Sequence, residues 1–157
     1  MLERAIGSAS SQLELGDEVI VVHDDAPHND WGAWARAEAM KDARGSHLLF
    51  MDDDDEYLPR ANNTIRKAIQ PEPDRVHIFR MARTAPFNDV IWISQDLAQP
   101  GQVSTQMIVV PNDPDRLGTW SPRYEGDFDF LVSTLAKHHK PPVWHQDVIA
   151  IQHPNGY

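Results

Sequence analysis

Five consecutive acidic residues, Asp52 to Glu56, directly follow the apolar run Leu48-Leu49-Phe50-Met51. Such a short apolar run is typical of a strand that is buried on both faces. Neighbouring carboxylates repel one another, so a folded protein tolerates this cluster mainly where a cation neutralises it. Oxygen ligands suit a hard divalent ion, Mg²⁺ or Mn²⁺. The alternative is a solvated acidic loop, but ligands in open α/β sheets bind at the carboxyl ends of strands, and this favours a site.

The composition excludes several classes of protein. A chain of 157 residues is long enough for one domain with its own core, and we expect a single domain over residues 1–157. The net charge of -10 argues against a nucleic-acid partner, because phosphate contacts need clustered Lys and Arg. The absence of cysteine excludes disulfides, thiolate zinc sites and cysteine nucleophiles. No membrane span or signal peptide is indicated, so we expect a soluble, cytoplasmic protein.

Hydrophobic periodicity indicates helices that alternate with strands early in the chain and strands that predominate later. The predicted helices cover residues 2–13, 31–43, 61–69 and 127–137. The predicted strands cover residues 19–22, 46–51, 75–83, 89–94, 102–110 and 143–151. This order of elements predicts an α/β sheet with a mixed half.

Five stretches in chain order resemble motifs of the family 2 glycosyltransferases with the GT-A fold. They are residues 17–25 (DEVIVVHDD), the helix with Ala35-Arg36 and residues 41–45 (KDARG), residues 50–55 (FMDDDD) with Leu58-Pro59, residues 125–131 (EGDFDFL), and His153-Pro154-Asn155. The resemblance spans nearly the whole chain and implies a nucleotide-diphospho-sugar transferase fold with a mixed, mostly parallel central sheet flanked by helices. Members of the family normally begin with an apolar strand ahead of the helix matched by residues 2–13. This chain has no counterpart of it and resembles a form shortened at the N-terminus.

The resemblance implies a hexosyltransferase-like, metal-dependent enzyme that moves a sugar from a UDP-, GDP- or dTDP-sugar to an unknown acceptor hydroxyl, with inversion. A Mn²⁺ or Mg²⁺ ion would stabilise the charge on the departing diphosphate. Asp54 is then the principal metal ligand, Asp52 contacts the metal and the ribose, and His153 is a third ligand. The resemblance also implies that Asp53 is one of the donor-binding carboxylates. The side chains of Asp53 and Asp55 would either point away from the ion or support the residues that bind it. A lone histidine such as His153 also fits a role without metal.

Further residues take roles from the same resemblance. Asp24 or Asp25 accepts a hydrogen bond from the nucleobase, and Arg36 lies against the base or the diphosphate. A simple turn and a surface helix residue are the corresponding alternatives.

Asp127 stands where the family places the base that deprotonates the acceptor, although an Asp near a helix start is also an ordinary cap. Glu125 and Asp129 are the substitutes for it. Trp120 either stacks on an acceptor sugar or is a partly buried loop residue.

Two other functions stay open on the sequence. One is a non-catalytic binding domain that keeps the fold but has lost donor affinity, and the other is a Mg²⁺-dependent phosphoryl-transfer enzyme. Trp31, Trp34 and Trp120 favour sugar over phosphate chemistry, and no Gly-rich phosphate loop is present. The lack of a first strand would leave unpaired backbone groups in the sheet, so a homo-oligomer in which a second subunit supplies the pairing is possible.

Overall fold

The computed structural model describes residues 1–26, 28–93 and 98–153. The helices are α1 (Leu2–Ser10), α2 (Ala33–Asp42), α3 (Ala61–Ile69) and α4 (Gly126–Leu135). The strands are β1 (His47–Leu49), β2 (Glu56–Tyr57), β3 (His77–Arg83), β4 (Asp89–Ile91), β5 (Ile108–Pro111) and β6 (Val143–Gln152). No helix in these ranges is long and apolar enough to cross a membrane.

The six described strands form one mixed sheet in the order β1-β5-β3-β6-β2, with β4 paired to β3 beside this path. The predicted α/β class and mixed sheet are therefore confirmed. Parallel pairing is confined to β3 and β6, whereas the other four pairings in the described ranges are antiparallel. The expected predominance of parallel pairs is thus not what these strands show.

The apolar residues of β3 and β5 form the centre of the core. Ile78, Phe79 and Met81 of β3 have no exposed surface, and all four residues of β5 are buried. A continuous Ile-Val-Val run such as that of β5 is typical of a strand covered on both faces. The helices add apolar side chains to this core, among them Ile65 from α3 and Phe130 from α4.

Residues 19–22, predicted as a strand, pair with no strand in the described part of the chain. The Glu18 carboxylate holds this segment beside the start of β1 by accepting hydrogen bonds from the backbone N–H of Arg44 (2.6 Å) and of Gly45 (3.1 Å). β1 is the last strand on its side of the sheet, and a cavity of about 390 Å³ is lined by both segments. The β-branched residues have the propensity of a strand, but a strand also needs a neighbour that pairs with it.

Other predicted bounds change for local reasons. The strand predicted over residues 102–110 divides into a 3-10 turn at Thr105–Met107 and β5, because Ser104 caps the turn. The two-residue strand β2 was not predicted, since its Glu56 belongs to the acidic run. Part of the strand predicted over residues 89–94 is β4, and Ser94 lies outside the described residues.

The loop between β5 and α4 packs directly against α4 at Gly118. Its backbone N–H donates to Oγ1 of Thr134 at 2.9 Å. A Cβ at this position would meet the carbonyl oxygen of Phe130 at 2.4 Å, which is shorter than any real contact of this kind. Only glycine fits here, and the loop is therefore packed directly on the helix that begins with Gly126 and Asp127.

Candidate active site

The acidic segment forms a turn that joins the end of β1 to β2. The Asp55 N–H donates to the carbonyl of Asp52 at 3.3 Å, which closes the turn. The Tyr57 hydroxyl donates to the Phe50 carbonyl at 2.9 Å, and an Arg4 guanidinium N–H of α1 donates to the Asp54 carbonyl at 2.7 Å. The first strand, the first helix and β2 together fix where the carboxylates lie.

The four aspartates of the turn occupy different environments. Asp53 is exposed, whereas Asp52 and Asp54 are half-buried. Burial raises the pKa of Asp54, and the neighbouring carboxylates of Asp52 and Asp53 raise it further. Asp55 is only 2% exposed, and burial raises the pKa of its carboxyl to about 7. The turn therefore concentrates negative charge in a place that solvates it poorly.

Gln106, which sequence reasoning missed, lies at the centre of this cluster and is completely buried. Its Nε2 donates to the Asp52 carboxylate at 3.2 Å and also to the Asp55 carboxylate. Its Oε1 accepts a hydrogen bond from the Ser104 hydroxyl at 3.1 Å. A polar residue inside the mostly apolar stretch 103–110 was the available signal, because a buried amide must find partners.

Arg36 connects the first turn of α2 to the acidic turn. Its Nη2 donates to the Asp52 carboxylate, and its Nη1 donates to the Trp31 carbonyl at 2.7 Å. The guanidinium also lies 4.9 Å from the centre of the Trp120 ring. Arg36 is therefore held beside the acidic turn. The alternative of a surface helix residue without a contact to the site does not describe it.

Asp127 begins α4 beside the same residues. Its carboxylate accepts a hydrogen bond from the Phe128 N–H at 2.7 Å. Burial raises the pKa of Asp127 to about 6, while Arg36 lowers it and Asp52 raises it, so all three side chains share one electrostatic environment. A carboxylate with a pKa near neutrality is suited to accept a proton.

The two substitutes for Asp127 are engaged elsewhere. Asp129 accepts hydrogen bonds from Arg123 and Ser121, which lower the pKa of its carboxyl to about 2. A carboxylate with so low a pKa is a poor proton acceptor. Glu125 lies 3.7 Å from the Arg123 guanidinium.

His153 approaches the acidic turn from the end of β6. Its backbone N–H donates to Asp55 at 2.8 Å, and its ring Nε2 lies 2.9 Å from the Glu56 carboxylate. The nearby His153 also lowers the pKa of the Asp54 carboxyl, against the larger effect of burial. Pro154 and Asn155, which gave the resemblance at this end, lie outside the described residues.

Asp24 and Asp25 are both exposed, in the loop after residues 19–22. The Asp24 carboxylate lies 2.7 Å from Nδ1 of His28, and the His28 ring stacks on Trp34 with 4.4 Å between centres. Trp34 belongs to the helix that carries Arg36, which ties this loop to the same helix. In the described residues, the hydrogen bonds of the Asp24 carboxylate go to the backbone and ring of His28 and not to the acidic turn.

The donor set matches a hard divalent ion, but it is not arranged as a metal cage. Asp52, Asp54 and His153 offer carboxylate oxygens and one imidazole nitrogen, which suit Mn²⁺ or Mg²⁺. The crowding that raises the pKa of Asp54 is also what a cation would relieve. Among residues 1–26, 28–93 and 98–153, however, no three His, Asp or Glu side chains are grouped so as to hold an ion.

Trp120 is not available to stack on an acceptor. It is 7% exposed, and its ring stacks on Phe130 with 4.2 Å between centres. Phe50 packs against it edge-on at 5.0 Å. The alternative of a largely buried loop tryptophan is therefore the correct one.

Comparison with known proteins identifies the architecture. Residues 25–125 match the model of "Glycosyl transferase family 2". An uncharacterized glycosyltransferase of Haemophilus influenzae is 26% identical over 84 residues, which are 54% of this chain and 29% of that protein. The chain thus spans less than a third of the length of that curated relative.

Solved structures agree on the fold. The crystal structure of S. aureus TarS has a TM-score of 0.62 and 13% identity over 80% of this chain and 25% of that one. A structure of TarS residues 1–349 in complex with UDP has a TM-score of 0.57 and 13% identity over 80% of this chain and 40% of that one. The resemblance noted in the sequence is confirmed at the level of family and fold.

We expect Gln106→Leu to lower the free energy of unfolding by about 2 kcal/mol, because it removes the donors of two poorly solvated carboxylates. Urea denaturation at neutral pH measures the change. Gln70→Leu, an exposed position after α3, is the matched control and should change stability little. Equal stability of the two variants would contradict the bridging role of Gln106.

Proposed function

Because this chain belongs to glycosyl transferase family 2, we propose that it transfers a sugar from a nucleoside-diphosphate sugar to an acceptor hydroxyl. The observation that carries the proposal is that Arg36 donates a hydrogen bond to Asp52 and that both charges act on the pKa of Asp127, although the three residues come from α2, the turn after β1 and the start of α4. A cationic group, a carboxylate turn and a candidate base are the parts that such a reaction needs.

In the proposed reaction Asp127 takes the proton of the acceptor hydroxyl. The acceptor oxygen forms a bond to the anomeric carbon while the bond from that carbon to the diphosphate oxygen breaks. The nucleoside diphosphate leaves with the electron pair, and direct displacement inverts the anomeric centre. The pKa of about 6 keeps most of Asp127 ionised at neutral pH and ready to act as a base.

The leaving diphosphate needs positive charge near its oxygens. We propose that Asp54, Asp52 and His153 hold Mn²⁺ or Mg²⁺, which supplies that charge when bound. Arg36 adds a fixed guanidinium beside Asp52. The exposed Asp53 stays at the rim of the donor site, where it adds to the local negative charge.

The donor is proposed to carry its nucleobase near the loop with Asp24 and Asp25. UDP is the first nucleotide to test, since one structurally similar protein was solved in complex with UDP; GDP and dTDP stay in the comparison.

The resting contacts Arg36–Asp52 and His153–Glu56 favour a second candidate, a non-catalytic domain of the same fold, because they occupy two proposed ligands. A cytoplasmic location and a single catalytic domain over residues 1–157 stay predictions, which cell fractionation and limited proteolysis test.

We expect the melting temperature to rise by about 5 to 10 °C with one of UDP, GDP or dTDP at about 100 times its Kd in the presence of Mn²⁺. EDTA should remove the rise, and Asp54→Ala should abolish it without lowering the melting temperature of the free protein. Asp115→Ala, an exposed acid outside the turn, serves as control. If no nucleotide shifts the melting temperature of the wild type, donor binding is refuted and the non-catalytic binding domain becomes the favoured function. A normal shift in Asp54→Ala refutes only its role as ligand.

Asp127→Asn is expected to lower the transfer rate by about 10²- to 10⁴-fold while the nucleotide shift is retained. In the wild type, kcat/KM should rise with pH through about 6, because the base must lose its proton before it can accept one from the acceptor. The measurement is nucleotide release from UDP-sugars with methyl glycosides as acceptors. Glu125→Gln is the neighbouring control. Retained transfer in Asp127→Asn would eliminate this residue as the base.

We propose self-association through the open side of β1, where a second copy would supply the missing pairing. The unpaired segment 19–22 and the cavity that it shares with β1 support this. Light scattering over a concentration series should show a dimer that Val19→Lys dissociates. Val132→Lys, a similarly exposed valine on α4, should leave the dimer intact. A single-chain mass at every concentration would refute the proposal.

A further inference from the structure

Two exposed aromatic rings meet at the edge of the site. Trp31 and Tyr124 are 63% and 74% exposed, and their rings contact edge-on with 5.3 Å between centres and 81° between planes. Single exposed aromatic residues are common on protein surfaces. Here the two rings come from segments more than 90 positions apart in the sequence, and together they form one exposed apolar surface. We call Trp31 and Tyr124 the aromatic corner.

The backbone beneath Trp31 is held in a costly conformation. Its φ is +59°, in the left-handed region that large side chains rarely adopt. Asp30 fixes the loop through hydrogen bonds from the N–H groups of Gly32 (3.1 Å) and Trp34 (2.7 Å). The Trp31 carbonyl is fixed by Arg36 at 2.7 Å. Strain of this kind persists where the surroundings over-determine it and is concentrated at functional sites.

The second ring is positioned by the segment that leads into α4. Tyr124 follows Arg123, whose guanidinium makes two hydrogen bonds of 2.6 Å to Asp129. Tyr124 also stands three positions before Asp127. The corner is therefore connected through hydrogen bonds to the Arg36–Asp52 pair, and its second ring precedes the proposed base by three positions in the sequence.

The shape and surroundings of the corner fit a saccharide. Two rings at nearly right angles offer one face and one edge, which match the flat C–H face of a pyranose and its rim. Charged groups flank Tyr124 in the sequence: Arg123 precedes it and Glu125 follows it, with 3.7 Å between the guanidinium and the carboxylate. Apolar faces with a few polar groups at the margin are typical of small-molecule sites.

From these observations we propose that Trp31 and Tyr124 form the subsite for the acceptor, and that the acceptor presents a pyranose ring rather than a flexible aliphatic alcohol. This rests on the proposed function, because the acceptor is assigned by the nearness of Tyr124 to Asp127. The competing occupant is the nucleobase of the donor, which also stacks on aromatic faces.

The test uses methyl α- and β-glycosides of glucose, galactose, mannose and N-acetylglucosamine as probes. Saturation-transfer NMR and titration should show binding of at least one glycoside to the wild type, with the strongest transfer to protons of one ring face. Tyr124→Ala and Trp31→Asn should each weaken that binding about tenfold. Asn tolerates the left-handed conformation, so the second variant removes the ring and keeps the backbone.

Val132→Ala, a change of an exposed apolar residue on α4, should bind the glycoside like the wild type, and Tyr124→Phe, which keeps the ring, should bind it more tightly than Tyr124→Ala. Binding of UDP with Mn²⁺ is measured on every variant in parallel. If the ring-deleting variants lose UDP and keep the glycoside, the corner holds the nucleobase and the acceptor assignment is wrong. If no glycoside binds the wild type, or the variants bind it equally, the saccharide subsite is refuted. Failure of the wild type to bind any nucleotide refutes the proposed function separately.

Discussion

The crowding of carboxylates after β1 is the constraint on which the site depends. Four aspartates in one turn repel one another, and Asp55 is almost completely buried. The protein compensates with fixed donors: the Arg36 guanidinium and the Gln106 amide at Asp52, and the His153 N–H and the same amide at Asp55. Each donor comes from a different element, so the turn can exist only when these elements are in place.

Arg36 organises one half of these contacts and Gln106 the other. The guanidinium joins the Trp31 loop, the acidic turn and the Trp120 ring. The Gln106 amide joins the acidic turn to the segment that leads into β5. The loop of the aromatic corner and the proposed donor site are therefore parts of one connected network, rather than neighbours by chance.

The features that followed from local pattern were predictable from the sequence. The predicted bounds of α3 agree with the structure, since its apolar residues recur at helical spacing and Pro71 follows soon after it. The acidic run at a strand end correctly located the turn that carries Asp52 and Asp54, although their roles stay predictions. The family and the fold were also recognised from short motifs, because these combine strand ends with polar residues in a fixed order.

Features that depend on distant partners were not predictable. The burial of Gln106 depends on two carboxylates about 50 positions earlier, which accept hydrogen bonds from its amide. Residues 19–22 have strand propensity, but no strand pairs with them in the described part of the chain. Trp120 and Trp31 are the same residue type in similar loops, and only tertiary packing buries the first and exposes the second. Burial of this kind is a property of the assembled chain and leaves no periodic signal.

The close passage of Gly118 over α4 has a mechanical consequence. With no room for a side chain between loop and helix, the loop cannot slide along the helix without losing the hydrogen bond to Thr134. Two residues after Gly118, the Trp120 ring stacks on Phe130 and gives a second contact between the same loop and α4. Because the guanidinium of Arg36 lies 4.9 Å from the centre of the Trp120 ring, the same close packing also determines where α4 lies relative to Arg36.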